Sequence, residues 1–119
     1  MSHSRTLVLA LTLVGGCARA EARIVPGGDI ARGKAAIQTI GCGACHVIDG
    51  ISDAHGQVGP PLSGIANRSM VAGVLPNTPE NMIRWIEDAP SISPQTAMPN
   101  LGVTAQQARD IAAYLYTQQ

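Results

Sequence analysis

The sequence predicts an all-α fold: about three main helices joined by long loops. Three observations lead there. Three segments show apolar residues at helical spacing, two of them behind recognisable helix-start signals, and no stretch keeps a sustained two-residue alternation. The 119 residues include 13 Gly and 8 Pro, which punctuate the chain into loops. The third observation is a shortage. There is no Phe, one Trp and two Tyr, although aromatic side chains usually supply much of the buried area in a domain of this size. Either Leu, Ile, Val and Ala do all the packing, or something other than protein fills the middle.

Charge narrows the functional classes. Lys and Arg number 8 and Asp and Glu number 8, so the formal net charge is zero. That leaves no basic stripe for neutralising nucleic-acid phosphates. A hydrophobic content of 45% argues against intrinsic disorder.

The amino terminus reads as an address. Residues 1–6 carry one basic side chain, Arg5, and the apolar run from Leu7 to Val14 is far below the ~20 residues that span a bilayer. Gly15, Gly16, Cys17 and Ala18 follow, completing the layout of a bacterial secretory signal. The expected organisation is a signal at 1–16, a tether at 17–27 and one folded domain at 28–119. Val14-Gly15-Gly16-Cys17 resembles a lipoprotein signal, in which Cys17 takes the lipid and becomes the new terminus. The rival cut follows Ala18-Arg19-Ala20, after residue 20. Beyond a Cys42–Cys45 pair, Cys17 is the odd thiol, and lipidation or removal accounts for it equally. The protein is therefore expected on the periplasmic side of a bacterial membrane, lipid-anchored in the first case.

The first helix is expected over Asp29 to Ile40. Ile30, Lys34 and Ile37 recur at helical spacing, Ala31, Ala35 and Ala36 are good helix formers, and Gly41 and Gly43 stop it. From Val47 to Asn77 Gly and Pro recur without a sustained period. Thr78-Pro79-Glu80 starts the second helix: Thr caps, Pro takes the first turn, and Glu favours the positive end. It carries Met82, Ile83, Trp85 and Ile86 and is expected to stop before Pro90. Thr104-Ala105-Gln106-Gln107 fits a capping box for a third helix bearing Ala108, Ile111, Ala112 and Leu115 on one face.

One motif carries the chemistry. Cys42-Gly43-Ala44-Cys45-His46 is C-x-x-C-H, the attachment pattern of c-type haem. Two thiols three positions apart at a helix end reach the two vinyl groups on one porphyrin edge, and the next residue, His46, lies where its imidazole can bind iron. The porphyrin, a large flat apolar body, would also supply the missing core. Two other readings of the thiols exist. A redox C-x-x-C normally sits in a βαβ pattern, which is absent. A zinc site wants four ligands, and only His55, in a Gly-rich loop, could join Cys42, Cys45 and His46.

From residue 28 to 117 the chain resembles a class I cytochrome c. Beyond C-x-x-C-H, Gly59-Pro60-Pro61-Leu62 resembles the family's Gly-Pro-x-Leu, which implies that the Pro60 carbonyl orients His46. By the same resemblance Arg68 and Trp85 serve the haem propionates, and Thr96-Ala97-Met98-Pro99 is the loop that supplies an axial methionine, Met98. Ile111-Ala112-Ala113-Tyr114-Leu115 resembles the family's last helix, which crosses the first. Gly41 to His46, Asn77-Thr78-Pro79-Glu80-Asn81 and Ala97-Met98-Pro99 together are similar to small cytochrome c domains of bacterial aerobic chains, some fused behind subunit II of haem–copper oxidases. The implied fold wraps loops around one covalently bound haem c. Met70 and Met82 compete with Met98 as ligand, but Met82 suits helix packing and Met70 precedes the second helix. His55 reads as a solvated loop residue and Tyr114 as helix packing.

A His/Met-ligated haem has both axial positions filled and a raised reduction potential. The expected function is one-electron transfer in an aerobic respiratory chain, not enzymatic catalysis. Electrons would leave at the haem edge near the thioethers, toward redox partners such as a terminal oxidase or dehydrogenase, through a small weak interface. The near-neutral charge gives little long-range steering. A lipid anchor on Cys17 would confine the protein near membrane partners, with Ala18 to Gly27 reaching at most ~35 Å. The alternatives are a fixed haem relay within a membrane oxidase or dehydrogenase complex, and a haem peroxidase or gas-binding cytochrome.

Overall fold

The computed structural model describes residues 22–119. The signal segment, its cut site and Cys17 lie outside the described residues. Three helices carry the architecture: α1 (Ile30–Ile40), α2 (Pro79–Ile92) and α3 (Ala105–Leu115). No helix among the described residues is long and apolar enough to cross a membrane.

Each helix starts on a side-chain cap, two of them expected from the sequence and the Asp29 cap found in the structure. The Asp29 carboxylate accepts from the Arg32 N–H at 2.8 Å. The Thr78 hydroxyl accepts from the Asn81 N–H ahead of Pro79 in the first turn. Thr104 and Gln107 close a capping box, with the Gln107 side chain accepting from the Thr104 N–H at 2.9 Å. Gly41 ends α1 in the left-handed region at φ 87°, where a side chain would be strained, and its N–H reaches the Ile37 carbonyl.

The three residues at helical spacing in α1 are not buried together. Ile30 is 53% exposed and Lys34 is exposed, whereas Gly33 and Ile37 are buried. The reason lies on α3. A Cβ at Gly33 would overlap the backbone carbonyl of Asp110, so the two helices touch backbone to backbone there. Ile37 then meets Ile111 and Leu115 in the common core.

A polar clamp closes that crossing. The buried Asp110 carboxylate accepts from the Asp29 N–H (2.8 Å), Arg32 Nε (2.9 Å), Arg32 Nη2 (3.1 Å) and Gln106 Nε2 (2.9 Å). These donors hold its pKa at about 2, below the ordinary 3.8, with the Arg32 hydrogen bond the largest cause. Gln106 Nε2 also donates to the Gly27 carbonyl, tying the chain before α1 to α3.

Two expectations are corrected, and the expected stop before Pro90 is met. The second helix breaks at Asp88 (φ −157°, ψ 77°), two residues before Pro90, and a separate turn runs on to Ile92, in which Pro90 falls near the start, where its missing N–H costs nothing. A short antiparallel ladder exists, β1 (Met70–Val71) with β2 (Leu75–Pro76), too brief to leave an alternating signature. Residues 22–27, assigned to the tether, pack on the domain. Val25 is buried in the core, and Arg23 Nη1 donates to the Ala66 carbonyl at 2.9 Å while its guanidinium lies 5.6 Å from the Tyr116 ring centroid.

Candidate haem site

Between the helices lies a cavity of about 430 Å³. Cys42, Cys45, His46, Pro60, Arg68, Trp85 and Met98 all line it, so the sequence-predicted site residues inside the described region meet on one wall system. Its other lining is almost wholly apolar, including Ile37, Leu62, Val71, Ile86 and Leu115.

Local chemistry builds the wall from α1 onward. After Gly41 the chain makes a 3-10 turn at Cys42–Ala44, and the N–H groups of Cys45 and His46 both donate to the Cys42 carbonyl. This turn presents both thiols and the imidazole to the cavity. Cys42 and Cys45 are free thiols, and burial pushes the Cys42 thiol above its ordinary pKa. Among the described residues no group of three or more His, Cys, Asp and Glu is placed to hold a metal ion, and His55 is exposed.

The loop that follows folds back onto the turn. Gly56 N–H donates to Gly43, Gly59 N–H to Cys45 and Leu62 N–H to Val47. That pairing sets the Pro60 carbonyl 2.7 Å from His46 Nδ1. A carbonyl oxygen only accepts, so Nδ1 carries the proton and Nε2 keeps its lone pair. A Cβ at Gly59 would collide with the His46 ring, so glycine is required for the loop to pass this close. The segment between His46 and Gly59 is pinned through a Val47–His55 bridge, buried Ile51 and Ala54, and Tyr114 Oη donating to the Asp49 carbonyl at 2.8 Å. His55 itself is exposed.

Arg68 lines the cavity, and its Nη2 grips the carbonyls of Pro61 (2.6 Å) and Ser63 (3.1 Å). Behind it, Asn77 Nδ2 donates to the carbonyls of Ile65 (2.9 Å) and Arg68 (2.8 Å), while Tyr116 Oη donates to Asn77 Oδ1 (2.8 Å). Sequence reasoning placed Asn77 in a resemblance but missed this role. The signal was present as a polar residue just ahead of a helix cap, but its partners lie 12 and 39 residues away. Trp85 packs half-buried against the core. Met98 sits half-buried in an irregular segment, its N–H held by Thr96 Oγ1 at 3.2 Å. Met70 and Met82 also line the cavity; Met82 is 1% exposed beneath α2, and Met70 lies on β1.

These features fit a flat apolar group carrying one metal ion. The lining is apolar, both thiols open onto it beside an imidazole with the tautomer a metal needs, and glycine replaces a side chain where the loop passes behind that imidazole.

Comparison with known proteins agrees. The solved structure of cytochrome c2 from Paracoccus denitrificans superposes with a TM-score of 0.56 at 21% identity, covering 76% of this chain and 96% of that one, which shows the shared fold. A cytochrome c oxidase subunit 2 from Alkalihalophilus pseudofirmus is 31% identical over 68 residues, covering 57% of this chain but 19% of that subunit's length. The family model for cytochrome c matches residues 30–119. With fold, motif and family model in agreement over all three helices, the chain belongs to the cytochrome c family, the electron-transfer proteins that carry covalently bound haem c.

Proposed function

We propose that this protein is a one-electron carrier of an aerobic respiratory chain, working on the periplasmic side of a bacterial membrane with one haem c. Cys42 and Cys45 form the thioether bonds, and His46 Nε2 and Met98 Sδ hold the iron. The observation that carries this reading is the His46 Nδ1–Pro60 carbonyl bond on the wall of an apolar cavity that also bears both thiols.

Bound haem supplies a metal that changes oxidation state by one electron; the protein's part is to fix its surroundings. Pro60 keeps the His46 proton on Nδ1 and makes Nε2 a better donor. Met98 contributes a soft neutral sulfur, which favours the ferrous state and raises the potential. Arg68 has nitrogens beyond Nη2 for one propionate, and Trp85 would serve the other. Ile37, Leu62, Val71 and Met82 keep water from the buried side. A metal held by both His46 and Met98 would have no position left for oxygen or peroxide.

The test is Met98→Ala. Haem should stay attached, the potential should fall, the weak far-red sulfur-to-iron band of the ferric protein should vanish, and carbon monoxide should bind the ferrous form. Met70→Leu and Met82→Leu should keep the band. A band that survives Met98→Ala, or is missing from the wild type, would overturn the ligand set.

The resemblance to an oxidase subunit supports a terminal oxidase as electron acceptor, and favours as second reading a fixed relay within such a complex. Co-purification with membrane partners in detergent separates relay from shuttle. For anchoring, Cys17→Ser should move the protein from the membrane to the soluble fraction, since two or more acyl chains anchor stably and one does not.

A further inference from the structure

The residues that both line the cavity and reach solvent define its mouth, and none of them is charged. Val58 is 69% exposed, and Met70, Ala72, Ala97, Pro99 and Leu101 are also exposed along this rim. The one charged residue in the lining, Arg68, is half-buried and bonded to the Pro61 and Ser63 carbonyls. The bareness extends into the loops that carry the rim. Residues 35–48, 54–67, 69–79 and 89–108 contain no Asp, Glu, Lys or Arg. The charges lie elsewhere, as with exposed Arg32 and Lys34 on α1, exposed Glu80 and Arg84 on α2, and Asp49 and Asp53 in the segment after His46.

We propose that this mouth, whose exposed rim carries no charged side chain, is a docking face, and that its occupant is a redox protein whose own docking patch is apolar and uncharged. The proposal rests on the electron-carrier reading. A partner patch rich in either sign of charge would lose hydration on contact and find no counter-charged side chain on the rim, which penalises every ion left unpaired in a dry contact. An apolar patch gains from burying Val58, Pro99 and Leu101. A membrane surface fits less well: no basic side chain flanks the mouth to reach lipid phosphates, and no exposed Trp or Tyr stands on the rim. Association on such a face is unsteered, so its rate should be insensitive to salt, whereas a steered pair slows steeply as salt rises.

The experiment uses the haem-loaded protein in its ferrous state. One electron leaves the iron and reduces either an anionic oxidant, hexacyanoferrate(III), or a cationic one, tris(phenanthroline)cobalt(III). Ionic strength is raised so that the Debye length shrinks from ~30 Å to ~3 Å. Both wild-type rates should stay nearly flat. Val58→Glu and Leu101→Glu, checked for unchanged haem spectrum and melting, should acquire slopes of opposite sign for the two oxidants. With oxidase-bearing membranes of the source bacterium as acceptor, the wild-type rate should again be flat and Val58→Glu should slow it ~10-fold, the scale on which surface charge alters encounter. Opposite slopes in the wild type, or a steep fall with the membranes, would overturn the proposal. So would binding to phosphatidylcholine vesicles, or a wild-type dimer, that Val58→Glu abolishes. Failure of the carrier reading shows separately, as ferrous protein that neither reagent oxidises, and would overturn the proposal with it.

Discussion

The α1–α3 crossing and the walls of the cavity are built on different principles. At the crossing, Gly33 lets two backbones touch, and the Asp110 carboxylate accepts four hydrogen bonds that pull both helix ends together. Everything needed to fix the geometry is protein. Around the cavity, single backbone bonds such as Gly56 to Gly43 and Gly59 to Cys45 hold Gly- and Pro-rich loops in place, and the apolar side chains face one another across about 430 Å³. The first region can be specified by the chain alone. The second is specified by the chain together with the group it surrounds, which is why a domain of three aromatics suffices.

The sharpest break in this comparison removes the group. Cys42→Ala with Cys45→Ala should abolish haem retention, read by haem stain after denaturing electrophoresis. The largest structural loss should follow on the cavity side. Hydrogen exchange should show residues 54–77 and 93–103 losing protection before α1 and α3. Haem that persists through denaturation in the double variant would refute attachment by these thiols.

Next in size is a break on the other side. Gly33→Val places a side chain against the Asp110 backbone and should cost about 3 kcal/mol by overpacking, since neither helix can yield without losing the other's contacts. Chemical denaturation of the haem-loaded protein measures it. The far-red band should stay, because neither Gly33 nor Asp110 lines the cavity, which the two helices reach only further along, at Ile37, Ile111 and Leu115. Gly59→Ala makes the reciprocal test. The added methyl meets the His46 ring, so the stability loss should be smaller, about 1–3 kcal/mol, while the haem spectrum and potential shift. Equal effects of the two variants on the spectrum would erase the distinction between the regions.

How much was legible in the sequence follows the same division. Local chemistry was readable: Thr78-Pro79 and Thr104 with Gln107 mark two helix starts, and the C-x-x-C-H run brings two thiols and an imidazole to one cavity wall within five residues. Features that depend on a distant backbone were not. Gly33 reads as a weak point in a helix until the Asp110 carbonyl is seen against it, and Ile30 and Lys34 look like a face until the crossing turns them outward. Val25 and Arg23 follow a signal-like segment and read as spacer; Val25 joins the buried core, and the Arg23 anchor points at Ala66 and Tyr116 lie 43 and 93 residues away. The Arg68 grip on Pro61 and Ser63 is local in sequence, yet it needs a turn whose shape no periodicity reports.

The smallest effect concerns acid, and it isolates the crossing from the haem side. Asp110 titrates at about 2 when folded against an ordinary 3.8, because the Arg32 hydrogen bond, the Asp29 N–H and Gln106 all favour its ionised form. A folded pKa below the unfolded one contributes stability that is present above the unfolded value. It is lost as pH falls from about 3.8 through about 2. The groups facing Asp110 are Arg32 and Asp29 from the α1 end and Gln106 from its own helix, and Arg32 stays cationic throughout this range. Asp29 is the other carboxylate nearby, bonded to the Arg32 N–H and 3.7 Å from its guanidinium. Asp110→Asn keeps the volume and removes the charge. It should cost about 1–3 kcal/mol at neutral pH, the range for hydrogen bonds to an ionised group, and should flatten most of the stability slope between about pH 4 and pH 2. Arg32→Met should cost less than Asp110→Asn, since the Arg32 side chain is 61% exposed and solvent screens its charge, while the Asp29 and Gln106 bonds to Asp110 remain. Denaturant titrations across that pH range measure both, with the haem spectrum followed in parallel. A slope that survives Asp110→Asn unchanged would assign the acid sensitivity to the cavity side instead.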